Sequence, residues 1–301
     1  MQTRRTFLTT TAGAAALALT GPVLAQKKAK PLLSFSTLGC PRWTLTQIIT
    51  SAVDNGYKGI EFRGLEGELD LPKRPEFSTP ERARATRRLL QDKGLTTIGL
   101  GSSANLHIAD AAKRQQQLDH AKRFIELAEP LGCPYVRVFP NDLPKDQDRQ
   151  QTIDLIIGAL VELGKFAERS PVSVLLESHG KVVDMNLLHQ IMSAADHPHV
   201  GLIWDIANMW NVTKEPPADV YRKLKKYIRH THLKDSRTVD GKLQYVLLGE
   251  GEVPLAEAIN ALTAGGYKGY YSFEWEKMWH PDLQDPEVAF PHFAKAVQQY
   301  F

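Results

Sequence analysis

The sequence predicts a single-domain (β/α)8 barrel, the TIM barrel, and three observations support this fold class. From Lys30 onward, short apolar or β-branched runs alternate with longer amphipathic runs, eight of each in roughly 270 residues. The connections that follow the short runs are longer than the connections that precede them. No Gly-rich turn of the dinucleotide-binding kind follows the first short run. A doubly wound open sheet is the alternative α/β fold, but it normally has fewer strands.

Eight segments have the composition of strands in a parallel barrel, because they are short and rich in branched and aromatic residues. In chain order they are 32–37, 59–63, 96–102, 135–140, 172–178, 200–206, 228–234 and 270–276. Alternate side chains along each segment point to the same face, so every second residue is expected to point into the barrel.

Eight amphipathic patterns separate or follow these strands. They cover 44–57, 78–94, 111–132, 149–170, 185–196, 217–228, 254–267 and 286–301. Several begin at Thr, Ser or Pro and end at Gly, as helix termini tend to do. The two longest connections, 63–80 and 234–254, both follow strands, and Asp240-Gly241 within the second predicts a small hairpin. Both are expected to rise over the carboxyl-terminal mouth, where active sites of such barrels are built.

The first 25 residues are interpreted as an export signal. Arg4 and Arg5 precede Thr-Phe-Leu, an Ala-rich run follows, and Val23-Leu24-Ala25 has the small residues of a cleavage site. The arrangement resembles a twin-arginine translocation signal, which implies export machinery as a partner and a periplasmic location. A membrane-anchoring helix is the alternative, but the apolar run is short and interrupted, so no stable membrane insertion is expected. The barrel domain is therefore assigned to 26–301.

Charge argues against nucleic acid as a partner. The formal charge of +3 includes Arg4 and Arg5, so the exported chain is close to neutral. The basic clusters at 82–88 and 223–226 have helical spacing among apolar residues and are interpreted as solvated helix faces. The two cysteines, Cys40 and Cys133, follow one strand and precede another, which places them at opposite ends of a parallel barrel and predicts no disulfide between them.

Each of the last four predicted strands ends in a potential metal ligand. Glu177, Asp205, His232 and Glu274 are separated by 28, 27 and 42 residues, about one strand–helix unit per step. Charged groups aimed into one barrel mouth from adjacent strands would repel each other without a cation. Three carboxylates and an imidazole form a mostly hard donor set, which suits one divalent ion, Mn²⁺ first, with Mg²⁺, Co²⁺ or Zn²⁺ as alternatives.

The segment RHTHLKDSR places His230, His232 and Lys234 on one face of a strand. His232 lies nearer the carboxyl end and is the expected ligand, whereas His230 lies one layer deeper and is expected to contact the ligand or the core.

These motifs resemble the xylose isomerase-like superfamily of sugar isomerases and epimerases, inosose dehydratase and apurinic endonuclease. The resemblance covers nearly all of the chain after the signal and rests on GIEFR (Glu61), LESHG (Glu177), WDIAN (Asp205), HTHLKD (His232), GEGEVPL (Gly249) and FEWE (Glu274). It implies that Glu177, Asp205, His232 and Glu274 bind the metal and that the two glutamates act as acid and base. HTHLKD is particularly similar to the inosose dehydratase branch.

One position departs from that pattern. Many members have a His three residues after the Asp ligand, where this chain has Asn208. An asparagine does not ligate a second metal comparably or shuttle a proton, which argues against a multinuclear phosphodiesterase.

Lys234 is a candidate catalytic residue beside Glu177 and Glu274, and the alternative for it is a salt bridge with Glu250 or Glu252. The candidates for substrate binding are Glu61, His107, Arg137, His179, Asn208 and Arg237. For Glu61 and Arg137 the alternative is mutual neutralisation inside the barrel, and for His179 it is a solvent-facing loop position. Glu276 is an alternative ligand to Glu274. Trp210 or Trp279 is a lesser candidate for stacking on a sugar ring, since Trp packing is the commoner use.

These residues predict a metal-dependent isomerase or epimerase that acts on a carbohydrate or polyol through an enediolate. A lyase or hydratase acting on a keto-sugar or inosose is the alternative, and the HLKD segment favours it. A non-catalytic periplasmic sugar-binding protein is a third hypothesis. The near-neutral charge and Asn208 disfavour a nuclease.

Overall fold

The computed structural model describes residues 30–301 and confirms the predicted (β/α)8 barrel. Eight parallel strands close in the order β1-β10-β7-β6-β5-β4-β3-β2. The barrel strands are β1 Leu33–Ser36, β2 Gly59–Phe62, β3 Thr96–Asn105, β4 Tyr135–Phe139, β5 Ser173–Glu177, β6 Val200–Asp205, β7 Ile228–Leu233 and β10 Tyr271–Phe273. The interpreted export signal at 1–25 lies outside the described residues.

Helices surround the barrel and largely coincide with the predicted amphipathic patterns. They are α1 Leu45–Asp54, α2 Pro80–Gln91, α3 Ala111–Leu131, α4 Arg149–Ala167, α5 Met185–Ala194, α6 Ile206–Thr213, α7 Pro217–Leu224, α8 Leu255–Ala264 and α9 Pro286–Ala296. Polar caps start several of them: Thr44 forms a capping box with Gln47, and the Thr79 hydroxyl accepts from the Arg82 amide. In the part of the chain that the structure describes, no helix has the length and apolarity to cross a bilayer.

The helix α6 was not predicted, because WDIAN was interpreted as strand as far as Ile206. The Asp205 carboxylate accepts a hydrogen bond from the Asn208 amide at 2.8 Å and so starts a helix directly at the end of β6. The turn therefore depends on the same aspartate that is a candidate metal ligand.

The long connection after β7 contains the predicted hairpin, formed by β8 Asp235–Val239 and β9 Lys242–Val246. Asp240 and Gly241, with φ of 50° and 73°, make its turn, as a two-residue hairpin requires. At the base of the hairpin the buried Asp235 carboxylate accepts from the backbone amides of Gly249 and Gly251 at 2.9 and 3.0 Å. These bonds tie the rest of the connection to the barrel rim.

The strands that carry the candidate ligands are neighbours in the barrel, in the order β5, β6, β7, β10. Asp205 pairs in register with His232, and His232 pairs with Ser272, two residues before Glu274. Since all eight strands are parallel, their carboxyl ends open at one mouth. Cys40 and Cys133 are both buried free thiols, and burial raises the pKa of each.

Candidate metal centre and substrate cavity

Four candidate ligands meet at the carboxyl-terminal mouth. Glu177, Asp205, His232 and Glu274 are buried, and each offers one ligand atom within 4.8 Å of the others. Each lies at or next to the end of its strand, so the barrel alone brings together residues from four separate strand–helix units.

The His232 imidazole fits a metal ligand through one of its two nitrogens. Its Nε2 lies 2.9 Å from Glu61 Oε2, whereas Nδ1 is buried without a hydrogen-bond partner. Nδ1 lies 3.3 Å from Glu274 Oε1 and 3.4 Å from Glu177 Oε1. Burial alone would lower the pKa of His232, but Glu274, Glu61 and Glu177 raise it well above its ordinary value. The space around Nδ1 therefore attracts positive charge strongly.

The balance of charge at the mouth also fits a divalent cation. In the described chain, four buried or half-buried carboxylates share ion-pair contacts with two permanently charged cations, Arg137 and Lys234. These four carboxylates belong to Glu177, Asp205, Glu274 and Glu276, and a fifth, Glu61, contacts His230 and His232 instead. Arg63 adds a third buried cation at the cavity, so five carboxylates still outnumber the permanent cations beside an unpartnered imidazole nitrogen, an environment that suits a divalent cation.

Lys234 lies in the middle of the acidic cluster. Its Nζ contacts Asp205 Oδ2 at 2.7 Å, Glu274 Oε2 at 2.5 Å and Glu276 Oε1 at 2.7 Å. The alternative partners Glu250 and Glu252 are therefore wrong. Burial alone would lower the pKa of Lys234, but these three carboxylates raise it well above its ordinary value, so the amine stays protonated.

Arg137 forms an ion pair with Glu177, a candidate catalytic residue. Its Nη1 lies 2.9 Å from Glu177 Oε2 and 3.7 Å from Glu274 Oε1, and its guanidinium lies over the Phe139 ring. The suggested neutralisation of Arg137 by Glu61 is wrong. β4 lies next to β5 and not next to β2, and Glu61 instead accepts from His230 and His232 at 3.0 and 2.9 Å.

A cavity of about 220 Å³ adjoins this cluster. It is lined by Leu38, Arg63, Arg137, Phe139, Glu177, His179, Glu274, Glu276 and Trp279. Trp279 is 52% exposed at its rim, and His179 is held by a 2.7 Å contact from Nδ1 to Asn141 Oδ1. A larger cleft of about 670 Å³ lies between α1 and the segment before α9 and contains none of the candidate ligands.

Other candidates for substrate binding do not line the cavity. Asn208 donates through Nδ2 to the Ser178 carbonyl at 3.3 Å, and His107 lies in the loop after β3. Arg237 is exposed on β8 opposite Gln244, and Trp210 packs beside Lys214. Glu61 lies below the centre, where it contacts the two histidines.

Sequence reasoning missed Arg63, which lines the cavity. The signal was present in GIEFR, since Arg63 is two residues beyond the inward-pointing Glu61 and therefore shares its face. Asn141 was also missed. It takes a left-handed conformation with φ of 48° in the loop after β4, a feature that a strand pattern does not reveal.

The fold and the site define a barrel with a metal-capable centre at its carboxyl-terminal mouth. Residues 49–293 match the xylose isomerase-like TIM barrel family, and the chain belongs to that family.

The relatives include both epimerases and dehydratases. The chain is 24% identical over 250 residues to fructoselysine 3-epimerase of Shigella flexneri, covering 81% of this chain and 89% of that protein. It is 26% identical over 203 residues to 3-dehydroshikimate dehydratase of Bacillus anthracis, covering 65% of this chain and 68% of that protein. The crystal structure of the IolI protein with a bound zinc atom superposes with a TM-score of 0.75 at 19% identity, covering 90% of this chain and 99% of that one. The superposition demonstrates the shared fold.

Proposed function

We propose that this protein is a divalent-metal-dependent isomerase or epimerase of a sugar or polyol, which acts through an enediolate. The observation that carries the proposal is a pair of carboxylates, each anchored by its own cation. Glu177 Oε2 lies 2.9 Å from Arg137 and Glu274 Oε2 lies 2.5 Å from Lys234, while both Oε1 atoms face His232 Nδ1. Epimerisation requires a base on one side of the reacting carbon and an acid on the other.

Glu177 and Glu274 have the ionisation state that a base needs. Burial alone would raise the pKa of Glu274, but His232 and Lys234 hold it well below its usual value. For Glu177 burial and Glu274 raise the pKa, yet Arg137 and His232 keep the net pKa below its usual value. Glu274 can therefore take the proton from the carbon beside the carbonyl and release it to solvent. Glu177, whose pKa is lowered less because Glu274 raises it, would take up a proton from solvent and deliver it to the opposite face.

Glu177, Asp205, His232 and Glu274 are the residues that would hold the metal ion, Mn²⁺ by preference, which would supply positive charge to stabilise negative charge developing on substrate oxygens. Arg137 and Lys234 orient the two glutamates. The fructoselysine 3-epimerase relative supports this assignment.

A lyase acting on a keto-sugar or inosose is the second candidate, and the position of Lys234 favours it. Elimination of water needs a base for the proton on carbon and an acid for the departing hydroxyl. The Lys234 ammonium lies 2.5 Å from Glu274 and 2.7 Å from Glu276, and both of these glutamates line the cavity. It can supply the proton as the carbon–oxygen bond breaks. The dehydratase relative supports this candidate.

Proton exchange monitored by NMR in D₂O tests the proposal. The Mn²⁺-loaded protein is incubated with ketoses, aldoses, inososes and 3-keto-glycosides, and deuterium incorporation and dehydration are followed separately. Glu274→Gln should abolish exchange at carbon. Lys234→Ala should stop dehydration yet preserve exchange if Lys234 protonates a leaving hydroxyl, and should reduce both if it only orients Glu274.

Lys226→Ala is the matched control, because Lys226 is an exposed lysine paired with Asp196 on the surface. Binding without any exchange would favour the sugar-binding hypothesis. Full activity in both Glu274→Gln and Lys234→Ala would contradict the proposed catalytic roles.

A further inference from the structure

Arg63 is a buried cation without an ion-pair partner. Its residue is only 6% exposed, and the side chain lines the cavity beside the metal-capable centre. It donates from Nη1 to the Gly101 carbonyl at 3.4 Å and from Nη2 to Ser103 Oγ at 3.1 Å. Within residues 30–301 no carboxylate oxygen lies within 4.0 Å of the Arg63 guanidinium. Glu177, Glu274 and Glu61 interact with it electrostatically, but from larger distances. A guanidinium has five N–H groups, so three remain for a ligand.

A second arginine lies against the first. At Gly101 an added Cβ would lie 2.7 Å from Arg63 Cδ and 3.1 Å from Arg137 Nη2, so this glycine makes room for both side chains. Arg137 has Glu177 as a partner at 2.9 Å, whereas Arg63 has none. Burial and the charge of Arg137 lower the pKa of Arg63 to about 9. Holding two like charges together in a buried wall costs stability, which an anionic ligand would offset.

We propose that Arg63 binds an anionic oxygen group of the substrate, so that the substrate is an acidic sugar carrying a carboxylate or a phosphate. The cavity then has two poles: the acidic centre receives the carbonyl and hydroxyl end, and Arg63, supported by Ser103, receives the anion. Guanidinium groups suit this task because they pair with carboxylate and phosphate oxygens in a bidentate manner. The inference rests on the proposed function for the carbon chemistry, but binding of the anion is measured separately.

Three probes with one carbon skeleton test the assignment: fructuronate, fructose 6-phosphate and fructose. Their dissociation constants with Mn²⁺-loaded protein are measured by titration calorimetry. The wild type should bind one of the two acidic probes roughly 10-fold or more tightly than fructose, as expected for a charge-assisted hydrogen-bond pair. The preferred acidic probe identifies the anion as carboxylate or phosphate.

Variants separate Arg63 from a general effect of charge. Arg63→Gln should remove the preference for the acidic probe. If Arg63→Gln disturbs folding, Arg63→Lys takes its place and should retain part of the preference. Arg88→Met is the control, because Arg88 is exposed on α2 and distant in sequence from the cavity wall. It should leave all three affinities unchanged.

Equal binding of the three probes, no binding of either acidic probe, or a preference that survives in a folded Arg63→Gln protein would overturn the inference. Deuterium exchange in the same samples reports on the proposed function independently. Exchange with fructose and no preference for acids leaves that function standing without the anion site. Binding of an acid that depends on Arg63, without exchange, leaves the anion site standing without that function.

Discussion

Glu61 determines which imidazole nitrogen of His232 faces the candidate metal centre. A single oxygen, Oε2, lies 2.9 Å from His232 Nε2 and 3.0 Å from His230 Nε2. Burial alone would raise the pKa of Glu61, but the two histidines hold it well below its usual value, so it is an acceptor. Nε2 of His232 must then carry the proton in this contact, so Nδ1 is the nitrogen whose proton a bound cation would replace. The sequence placed His230 one layer below His232, and the structure shows why that layer matters.

Glu61→Gln should therefore weaken metal binding without removing a ligand. A glutamine can present its amide NH₂ to Nε2, which removes the preference for the Nε2-protonated imidazole. We expect the dissociation constant for Mn²⁺ to rise roughly 10- to 100-fold, as for other partners of metal-bound histidines. Titration calorimetry measures the constant, with Glu126→Gln on the exposed face of α3 as the control. An unchanged affinity in a folded Glu61→Gln protein would contradict this role.

At the scale of elements, β3 provides space for its neighbours. Its inward face carries Gly99 and Gly101, two residues apart, and an added Cβ at Gly99 would lie 3.2 Å from Glu61 Cγ. The long side chains of Glu61, Arg63 and Arg137 occupy the volume that larger residues on β3 would fill. The motif TTIGLGS therefore contributes to the site because its two glycines have no side chains, which leaves room for the side chains of the neighbouring strands.

Two Gly→Ala changes should have opposite effects on stability. Gly158 lies on the exposed face of α4 with no atom within 4 Å of an added Cβ, so Gly158→Ala should raise the free energy of unfolding by about 0.5–1 kcal/mol. Gly101→Ala forces its Cβ against Arg63 and Arg137 and should lower it by about 1–3 kcal/mol. Urea unfolding followed by Trp fluorescence measures both. A Gly101→Ala protein as stable as the wild type would mean that the two arginines move apart freely.

The elements were largely predictable, and the exceptions have local causes. All eight barrel strands fall where short apolar runs indicated, although β3 extends three residues further and β10 is shorter. α6 is only eight residues long, little more than two helical turns, and it starts directly after the last residue of β6, so no loop separates the two patterns.

At the scale of the whole molecule, closure of the barrel joins residues that are far apart in the chain. Glu61 contacts His232 across 171 positions and Ser272 across 211. Strand ends and alternation predicted which side chains enter the mouth, because both follow from periodicity. They did not predict which charges pair. Pairing depends on lateral strand order and on depth, which is why Arg137 was matched with Glu61 instead of Glu177 and why Arg63 was overlooked.

The last consequence concerns the stability of the whole barrel. The acidic cluster draws on β5, β6, β7 and β10, so a cation that binds only the folded protein stabilises half of the barrel wall at once. At a Mn²⁺ concentration of 100 times the dissociation constant the gain is about 2.7 kcal/mol. For a domain of this size it corresponds to a rise in Tm of roughly 5 °C, which scanning calorimetry measures and excess EDTA should reverse. Asp205→Asn removes one ligand charge and should lose most of the rise, whereas Asp119→Asn, an exposed change on α3, should keep it. An equal rise in Tm in both variants would place the Mn²⁺ site elsewhere on the protein. A site that includes the Asp205 carboxylate loses affinity when that carboxylate is replaced, whereas Mn²⁺ bound elsewhere on the surface does not.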